Sequence, residues 1–231
     1  LDLKKSPSHK ILYKFGTKLD GTYSFHEKID VREINWPEKA GSVLVVAVSH
    51  PEETPELDWF DETGKSPGNN TLIRINLELS AWIEETFGIK AHRMRYAVED
   101  GGIYLKDAAV LAGLGCIGKN NMLITPTLGP RARLRAMILE AELIPTGPIT
   151  FDPCDRCEEY CRQACSQNSF EQSVYTSTET GITDLPGRDG SFSRARCMIQ
   201  MGDDISDSEG SNANKLIKWC RRCEFACPIG R

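Results

Sequence analysis

Eight of the nine cysteines lie in the last third of the 231-residue chain, where they form a run of four, a single residue and a run of three. They are Cys154, Cys157, Cys161 and Cys165; Cys197; and Cys220, Cys223 and Cys227. The runs have the spacings C-x2-C-x3-C-x3-C and C-x2-C-x3-C-P, which are close to the iron-sulfur pattern C-x2-C-x2-C-x3-C-P. This number and spacing of thiols predicts two [4Fe-4S] clusters.

The cysteines of one run are expected to divide between the two clusters. In the iron-sulfur pattern the fourth cysteine of a run binds the other cluster, because three closely spaced thiolates already cap one face of the cube. We therefore assign one cluster to Cys154, Cys157, Cys161 and Cys227, and the other to Cys165, Cys197, Cys220 and Cys223.

Zinc and disulfide bonds are the alternatives for these cysteines. Two zinc sites would need only the CxxC pairs at Cys154/Cys157 and Cys220/Cys223. Zinc does not explain the crowding of Cys161 and Cys165, or the proline that follows Cys227. Disulfide frameworks are typical of small secreted domains without a core, which this length does not suggest.

Charge and hydropathy limit the function classes. The formal net charge of −5 argues against a general nucleic-acid surface, although Arg131, Arg133 and Arg135 could form a local basic patch. No apolar run approaches the roughly 18 to 20 residues that span a bilayer. The first ten residues lack a signal-peptide core. We expect a protein of the cytoplasm with no membrane partner.

The composition changes once, near residues 145–153, and predicts two domains, 1–147 and 148–231. The first contains a continuous apolar run at 42–49, expected as a buried central strand. An amphipathic helix is predicted at 70–87, with Leu72, Ile75, Leu79, Trp82 and Ile83 on its inner face and Gly88 as its stop. Further strands are predicted at 89–98, 122–125 and 133–143, and a short helix at 106–112 that ends at Gly113. The first domain therefore mixes helices and strands.

Residues 99–121, EDGGIYLKDAAVLAGLGCIGKNN, are rich in glycine and predict a backbone that turns tightly or approaches another group closely. The segment lacks the GxxxxGK[ST] spacing of a phosphate loop. It contains a bare GxGxxG string at Gly113, Gly115 and Gly118, but no strand directly precedes it, so a dinucleotide site is not expected.

This segment, the following strand, the four-cysteine run, the lone cysteine and the closing CxxCxxxCP together resemble the epoxyqueuosine reductase family and its relatives, the reductive dehalogenases. The resemblance covers residues 42–231. It implies an α+β fold, in which an α/β domain like the nitroreductase-type flavin reductases is followed by a ferredoxin-like domain with two [4Fe-4S] clusters. It further implies that the clusters pass electrons to a cobalamin on the first domain.

The resemblance also implies site residues. Glu99, with Asp100 beside it, aligns with the family's proton donor, and burial could raise the pKa of either carboxylate. The alternative is a pair that stabilises a helix N-terminus. The glycine-rich segment would contact the cobalamin through Gly113, Gly115, Cys116, Ile117, Gly118, Lys119 and Asn120. Cys116 stands where the family usually has tryptophan, and is either a redox thiol or a small buried apolar residue.

Other departures bear on substrate and partners. Asn69, Asn70 and Thr71 replace the family's Asp-Tyr-His, and Ser166 replaces a proline. The sequence ends at Arg231, without the helical-repeat extension that helps hold tRNA. We therefore do not expect tRNA as a partner, and predict a reductase of a small substrate that takes electrons from a low-potential ferredoxin or flavodoxin. The alternative is an electron-transfer protein, or a reductive activator of a separate corrinoid protein.

Overall fold

The computed structural model describes residues 34–61, 65–209, 216–217 and 219–231. Within them, a three-stranded antiparallel sheet has the order β1-β6-β3, with β1 at Ser42–Ser49, β3 at Ala91–Arg93 and β6 at Ala132–Leu139. Strand β6 pairs along its whole length with β1, from Ser42 opposite Leu139 to Ser49 opposite Ala132. Residues 1–33 of the predicted first domain lie outside this description.

Two helices cover the faces of this sheet, α1 at Pro67–Phe87 and α2 at Leu105–Leu111. Successive side chains of a strand point to opposite faces, so β6 contributes to the core on both sides of the sheet. Leu134 and Ala136 pack with the alanines of α2. Met137 and Leu139 pack with Ile83 of α1. The sheet is therefore buried between the two helices.

Strands form at the predicted positions, but their lengths and their places in the sheet differ from the prediction. In the described sheet β6 is central and β1 stands at an edge, with every residue only half-buried, so the expected central strand is wrong. The strand predicted at 89–98 pairs only over Ala91–Arg93, and a short 3-10 helix, Val98–Asp100, follows it. The strand predicted at 122–125 forms only as β5, Leu123–Ile124, which pairs with β4, Cys116–Ile117.

The two ends of helix α1 are set by residues next to them in the sequence. The Ser66 side chain accepts a hydrogen bond from the Asn69 backbone N–H, and Gly88 ends the helix with a left-handed φ of 66°. Leu72 and Ile83 are buried as predicted, whereas Trp82 is 52 % exposed and packs edge-on against Phe87. Trp82 was wrongly placed inside because it lies about 100° around the helix from Ile83.

The cysteine-rich part contains short helices and long connections. The helices are α3 at Tyr160–Gln163, α4 at Ser177–Thr180, α5 at Arg194–Glu209 and α6 at Arg222–Phe225. Helix α3 packs against α6. Strand β7, Leu216–Ile217, pairs with β2, Trp59–Phe60, and so joins the end of the chain to its first part. Of the helices in the described ranges, none combines the length and apolar character needed to cross a bilayer.

Candidate functional site

The thiols of the first cysteine run lie close to Cys227. The pKa of Cys161 is raised to about 11, first by burial and then by the neighbouring thiols of Cys154, Cys227 and Cys157. Burial also raises the pKa of Cys227, and the Cys154 and Cys157 thiols raise it further. Cys227, far away in sequence, therefore lies within direct electrostatic range of the first three cysteines.

A second set of thiols forms around Cys197, the cysteine of helix α5. Burial raises its pKa, and the thiols of Cys220 and Cys165 add to the rise. The pKa of Cys223 is raised by burial, and next by Cys197 and Cys220. Cys223 also interacts with Cys161, so the two sets are neighbours. The fold thus brings Cys165, the last residue of the first run, to the cysteines of the second set.

The geometry of both sets differs from that of a site for a single ion. Among the residues that the structure describes, no three His, Cys, Asp or Glu side chains are grouped so that they could hold one metal ion. A structural zinc site needs four ligands within about 2.3 Å of one ion. A [4Fe-4S] cube spreads its four thiolates over the cluster, so its ligands need not converge on one point. The preference for cubes over zinc thus rests on the spacing of the cysteines along the chain and stays a prediction.

Arg131 holds the last cysteine turn from the α/β part. Its side chain is 5 % exposed, and its guanidinium donates to the carbonyls of Glu224 and Cys227, each at 3.2 Å, and to that of Ile229. The Glu224 carbonyl lies in the last turn of helix α6, where C=O groups have no partner inside the helix, and the other two carbonyls follow that helix. Asn120 donates to the carbonyl of Cys223 at 3.5 Å. Both contacts fix the backbone that carries Cys223 and Cys227.

A buried ion network lies beside Cys220 and Cys223. Arg221 donates to Asp58 at 2.6 Å and to Glu224, while Arg133 contacts Glu224 at 3.2 Å and Asp58 at 3.5 Å. His50 Nδ1 lies 3.0 Å from Asp58 Oδ1. Burial alone would raise the pKa of Asp58, but the His50 hydrogen bond and the two guanidinium charges together hold it below 3.8. The positive charges of Arg221 and Arg133 thus balance the negative charges of the two buried carboxylates.

The glycines of the predicted cobalamin segment make close approaches within the chain itself. A Cβ on Gly115 would lie 1.9 Å from the Ile124 carbonyl oxygen, and one on Gly113 would lie 2.6 Å from that of Thr146. At Gly118 it would lie 2.7 Å from the Ile124 side chain. These positions are filled by neighbouring chain, so in the described residues they do not form an open cradle for a macrocycle.

The polar groups of the same segment are engaged in contacts with the cysteine-rich part. Lys119 Nζ lies 2.8 Å from Glu159, and the Ile117 carbonyl accepts from Arg188 at 2.6 Å. Asn120 is 3 % exposed and accepts from the Met122 N–H. The segment therefore forms a seam between the two parts of the chain. Its contact with cobalamin stays a prediction, which this geometry does not favour.

Cys116 faces the first thiol set. Its Sγ accepts from Arg188 at 3.5 Å, and Arg188 also pairs with Asp152 at 2.8 Å. Burial is the main cause that raises the pKa of Cys116 to about 11, against the lowering effect of Arg188. A thiol that stays protonated at neutral pH is a weak nucleophile, which favours the interpretation of Cys116 as a packing residue.

The predicted proton donors lie on the 3-10 helix Val98–Asp100, away from the cysteines in sequence. Asp100 is exposed, and the side chain of Glu99 lies outside the described residues. The role of both residues stays a prediction.

The sequence did not predict the residues that hold the cysteines in place. Arg131, Asp58 and Arg221 are buried charges, and each has at least one partner far away along the chain. One signal was present, because Arg221 and Arg222 sit between two predicted cluster ligands, and a charge that becomes buried needs a partner. The identity of those partners depends on tertiary contacts.

Curated relatives of the chain are named epoxyqueuosine reductase. That of Listeria monocytogenes is 25 % identical over 205 residues, which are 82 % of this chain and 48 % of the relative. The epoxyqueuosine reductase of Bacillus subtilis is 24 % identical, and the match covers 84 % of this chain and 48 % of the relative. The chain thus spans about half the length of the curated relatives it matches. No family model matches it. The names of these relatives support a reductase role.

Solved structures share the fold. The epoxyqueuosine reductase of Streptococcus thermophilus superposes with a TM-score of 0.56 at 22 % identity, over 84 % of this chain and 50 % of that one. A reductive dehalogenase, whose structure suggests a mechanism for B12-dependent dehalogenation, superposes with a TM-score of 0.53 at 19 % identity. The match covers 82 % of this chain and 26 % of the dehalogenase. The described chain therefore has a mixed helix and sheet fold similar to both groups.

The expectation that tRNA is not a partner of this chain is contradicted by the comparisons. One structural neighbour, with a TM-score of 0.54 at 21 % identity over 84 % of this chain and 49 % of that one, is an epoxyqueuosine reductase with an epoxyqueuosine-modified tRNA stem loop. Net charge averages over the whole surface and does not exclude a local binding face, and the point at which a sequence ends does not exclude tRNA as a partner. The curated and structural comparisons together support the epoxyqueuosine reductase family, with reductive dehalogenases among its structural neighbours, as the family to which this chain is similar.

Proposed function

We propose that the chain is an iron-sulfur reductase of the epoxyqueuosine reductase type, which receives single electrons from a low-potential donor and passes them through two [4Fe-4S] clusters. The observation that carries the proposal is the division of eight thiols into two neighbouring sets, with Cys227 beside the first run and Cys165 beside the second. This exchange is what a two-cluster arrangement requires. The names of the relatives support the reductase role.

Each part of the chain has a proposed task. The eight cysteines bind the clusters, and Arg131 and Asn120 fix the turn that carries Cys223 and Cys227. A cavity of about 410 Å³ is lined by Cys157, Pro228 and Ile229 and opens beside the first set. We take this cavity as the side on which an electron donor approaches. The domain boundary near residue 147 and the ferredoxin-like arrangement belong to the same proposal.

Cobalamin is the electron acceptor that the family resemblance implies. When bound, it would supply a low-valent cobalt nucleophile. The residues expected to contact it, from Gly113 to Asn120, are packed against other parts of the chain. That packing favours the second candidate function, an electron-transfer protein that delivers its electrons to a separate corrinoid protein.

Anaerobic reconstitution tests the proposal. The protein should bind about eight irons per chain, as two four-iron cubes require, and should be reduced by a low-potential chemical donor. A colourless protein with two zinc ions would refute it.

The acceptor is tested next, with an epoxyqueuosine-modified tRNA stem loop and added cobalamin. Turnover of the modified base identifies the reductase. Full iron content without turnover, together with electron delivery to an added corrinoid protein, identifies the electron carrier instead.

A further inference from the structure

Ser169 lies four residues after Cys165 and contacts the sulfur of that cysteine. The Ser169 backbone N–H donates a hydrogen bond to Cys165 Sγ at 3.3 Å. Hydrogen bonds to the sulfurs are one of the factors that set the reduction potential of an iron-sulfur cluster. Ser169 therefore makes a contact of this kind with a proposed cluster ligand.

Backbone hydrogen bonds fix the position of Ser169 against helix α5. The Ser169 carbonyl accepts from the Ser193 N–H at 2.8 Å, and the Ser193 carbonyl accepts from the Cys197 N–H at 3.2 Å. Together with the bond from the Ser169 N–H to Cys165, these contacts join two cysteines of the second thiol set. Ser169 is therefore held between two proposed ligands of the same cluster.

The hydroxyl of Ser169 is a buried polar group without a partner. Ser169 is 1 % exposed, and its Oγ makes no hydrogen bond to any residue that the structure describes. Burial of a hydroxyl without a hydrogen bond is unfavourable, because the contact with water is lost and nothing replaces it. Three covalent bonds separate this Oγ from the backbone N that contacts Cys165, so the hydroxyl lies close to the same sulfur. A group that binds at Cys165 and offers acceptors would satisfy it.

We propose that the Ser169 hydroxyl donates a hydrogen bond to a sulfur of the cluster held by the second thiol set and raises the reduction potential of that cluster. The inference rests on the proposed two-cluster function. The electron donor adds one electron to the cluster, with no proton taken up and no bond changed. A hydrogen-bond donor at a sulfur stabilises the added negative charge. The cluster thus supplies the acceptor that the buried hydroxyl lacks.

A redox titration of the reconstituted protein, followed by electron paramagnetic resonance, tests the inference. Ser169→Ala removes the hydroxyl and keeps the backbone N–H, whereas Ser169→Thr keeps both donors. Ser80→Ala is the matched control, because Ser80 is also buried and its hydroxyl donates to the Leu77 carbonyl at 2.8 Å. In Ser169→Ala the reduced-to-oxidised ratio of one cluster should fall about tenfold at fixed potential, or about 59 mV for one electron. The ratio of the other cluster should stay unchanged, as should both ratios in Ser169→Thr and Ser80→Ala.

Pulsed electron paramagnetic resonance of protein reconstituted in D2O gives a second readout, which a purely structural role would not change. The reduced wild-type protein should show a coupling between the cluster and an exchangeable hydrogen that Ser169→Ala lacks. The control Ser80→Ala should keep that coupling.

Three results would overturn the inference while leaving the proposed function intact. Unchanged potentials and an unchanged hydrogen coupling in Ser169→Ala would assign the hydroxyl to a buried water instead. An equal shift of both clusters would show a general change of the fold. A loss of iron in Ser169→Ala would assign Ser169 to cluster assembly. Failure of the wild-type protein to bind about eight irons would instead refute the proposed function itself.

Discussion

Removal of Arg221 should destabilise the seam between the α/β part and the last cysteine turn. In Arg221→Met, Asp58 and Glu224 stay buried with Arg133 as their shared cation, at 3.5 and 3.2 Å. Both carboxylates are almost fully buried, at 1 % and 3 % exposure, so about one negative charge is left without compensation. Arg221 also lies over the Phe225 ring, 4.3 Å from its centroid, and this contact is lost as well.

The expected magnitude follows from that charge imbalance. Removal of one partner of a buried ion pair costs about 3–5 kcal/mol, and the remaining Arg133 places this site near the lower end, about 3 kcal/mol. For a chain of this size, 1 kcal/mol corresponds to about 2–4 °C in Tm. The melting temperature should therefore fall by roughly 6–12 °C.

Urea unfolding of the reconstituted protein, followed by circular dichroism, measures the change. Arg74→Met is the matched control, because its pair with Glu78 at 3.9 Å is exposed, and it should change the free energy of unfolding by about 0–0.5 kcal/mol. The double variant Asp58→Asn/Arg221→Met should lose less than the sum of the single changes. If Arg221→Met unfolds within about 1 kcal/mol of wild type, the network contributes no net stability and the reasoning is refuted.

Three further changes test the site and its frame. Cys227→Ala should reduce iron from about eight to about four per chain, by removing the cluster of the first run; retention of eight irons in iron analysis would contradict the crossover. Gly115→Ala should destabilise by about 1–3 kcal/mol because its Cβ would lie 1.9 Å from a carbonyl oxygen, whereas Gly202→Ala, in open space on helix α5, should stabilise by about 0.5–1 kcal/mol in the same melts. The stability that Asp58 contributes is complete above its unfolded pKa, near 3.8, and is lost as pH falls through its lower folded pKa, so Asp58→Asn should flatten the acid limb of stability measured from pH 6 to 2.

Local elements were predictable where the signal lies in neighbouring residues. Helix α1 starts beside Ser66 and ends at Gly88, because capping and the left-handed stop depend on residues a few positions apart. Strand extent was less predictable. The strand at Ala91–Arg93 ends where its pairing with β6 ends, and the partner is more than forty residues away along the chain.

The glycine-rich segment shows the limit of a motif without its surroundings. Its glycines correctly indicated close approaches of the backbone, but the sequence could not say to what. In the fold, Gly115 and Gly113 meet the Ile124 and Thr146 carbonyls, and Lys119 meets Glu159. The same residue types could contact a ligand or pack against another part of the chain. Only the fold shows which of the two lies beside them.

The sequence by itself predicted the ligand chemistry, because cysteine spacing along one run depends on short-range backbone geometry, and it predicted the family that the comparisons support. Tertiary structure decided which thiols meet across the two runs, and which buried charges hold them. Cys227 lies with Cys161 where helices α3 and α6 pack together, and Arg221 lies with Asp58 where β2 pairs with β7. Contacts between such distant residues depend on the burial of charge and apolar surface in the whole fold, and they cannot be predicted from the spacing of neighbouring residues.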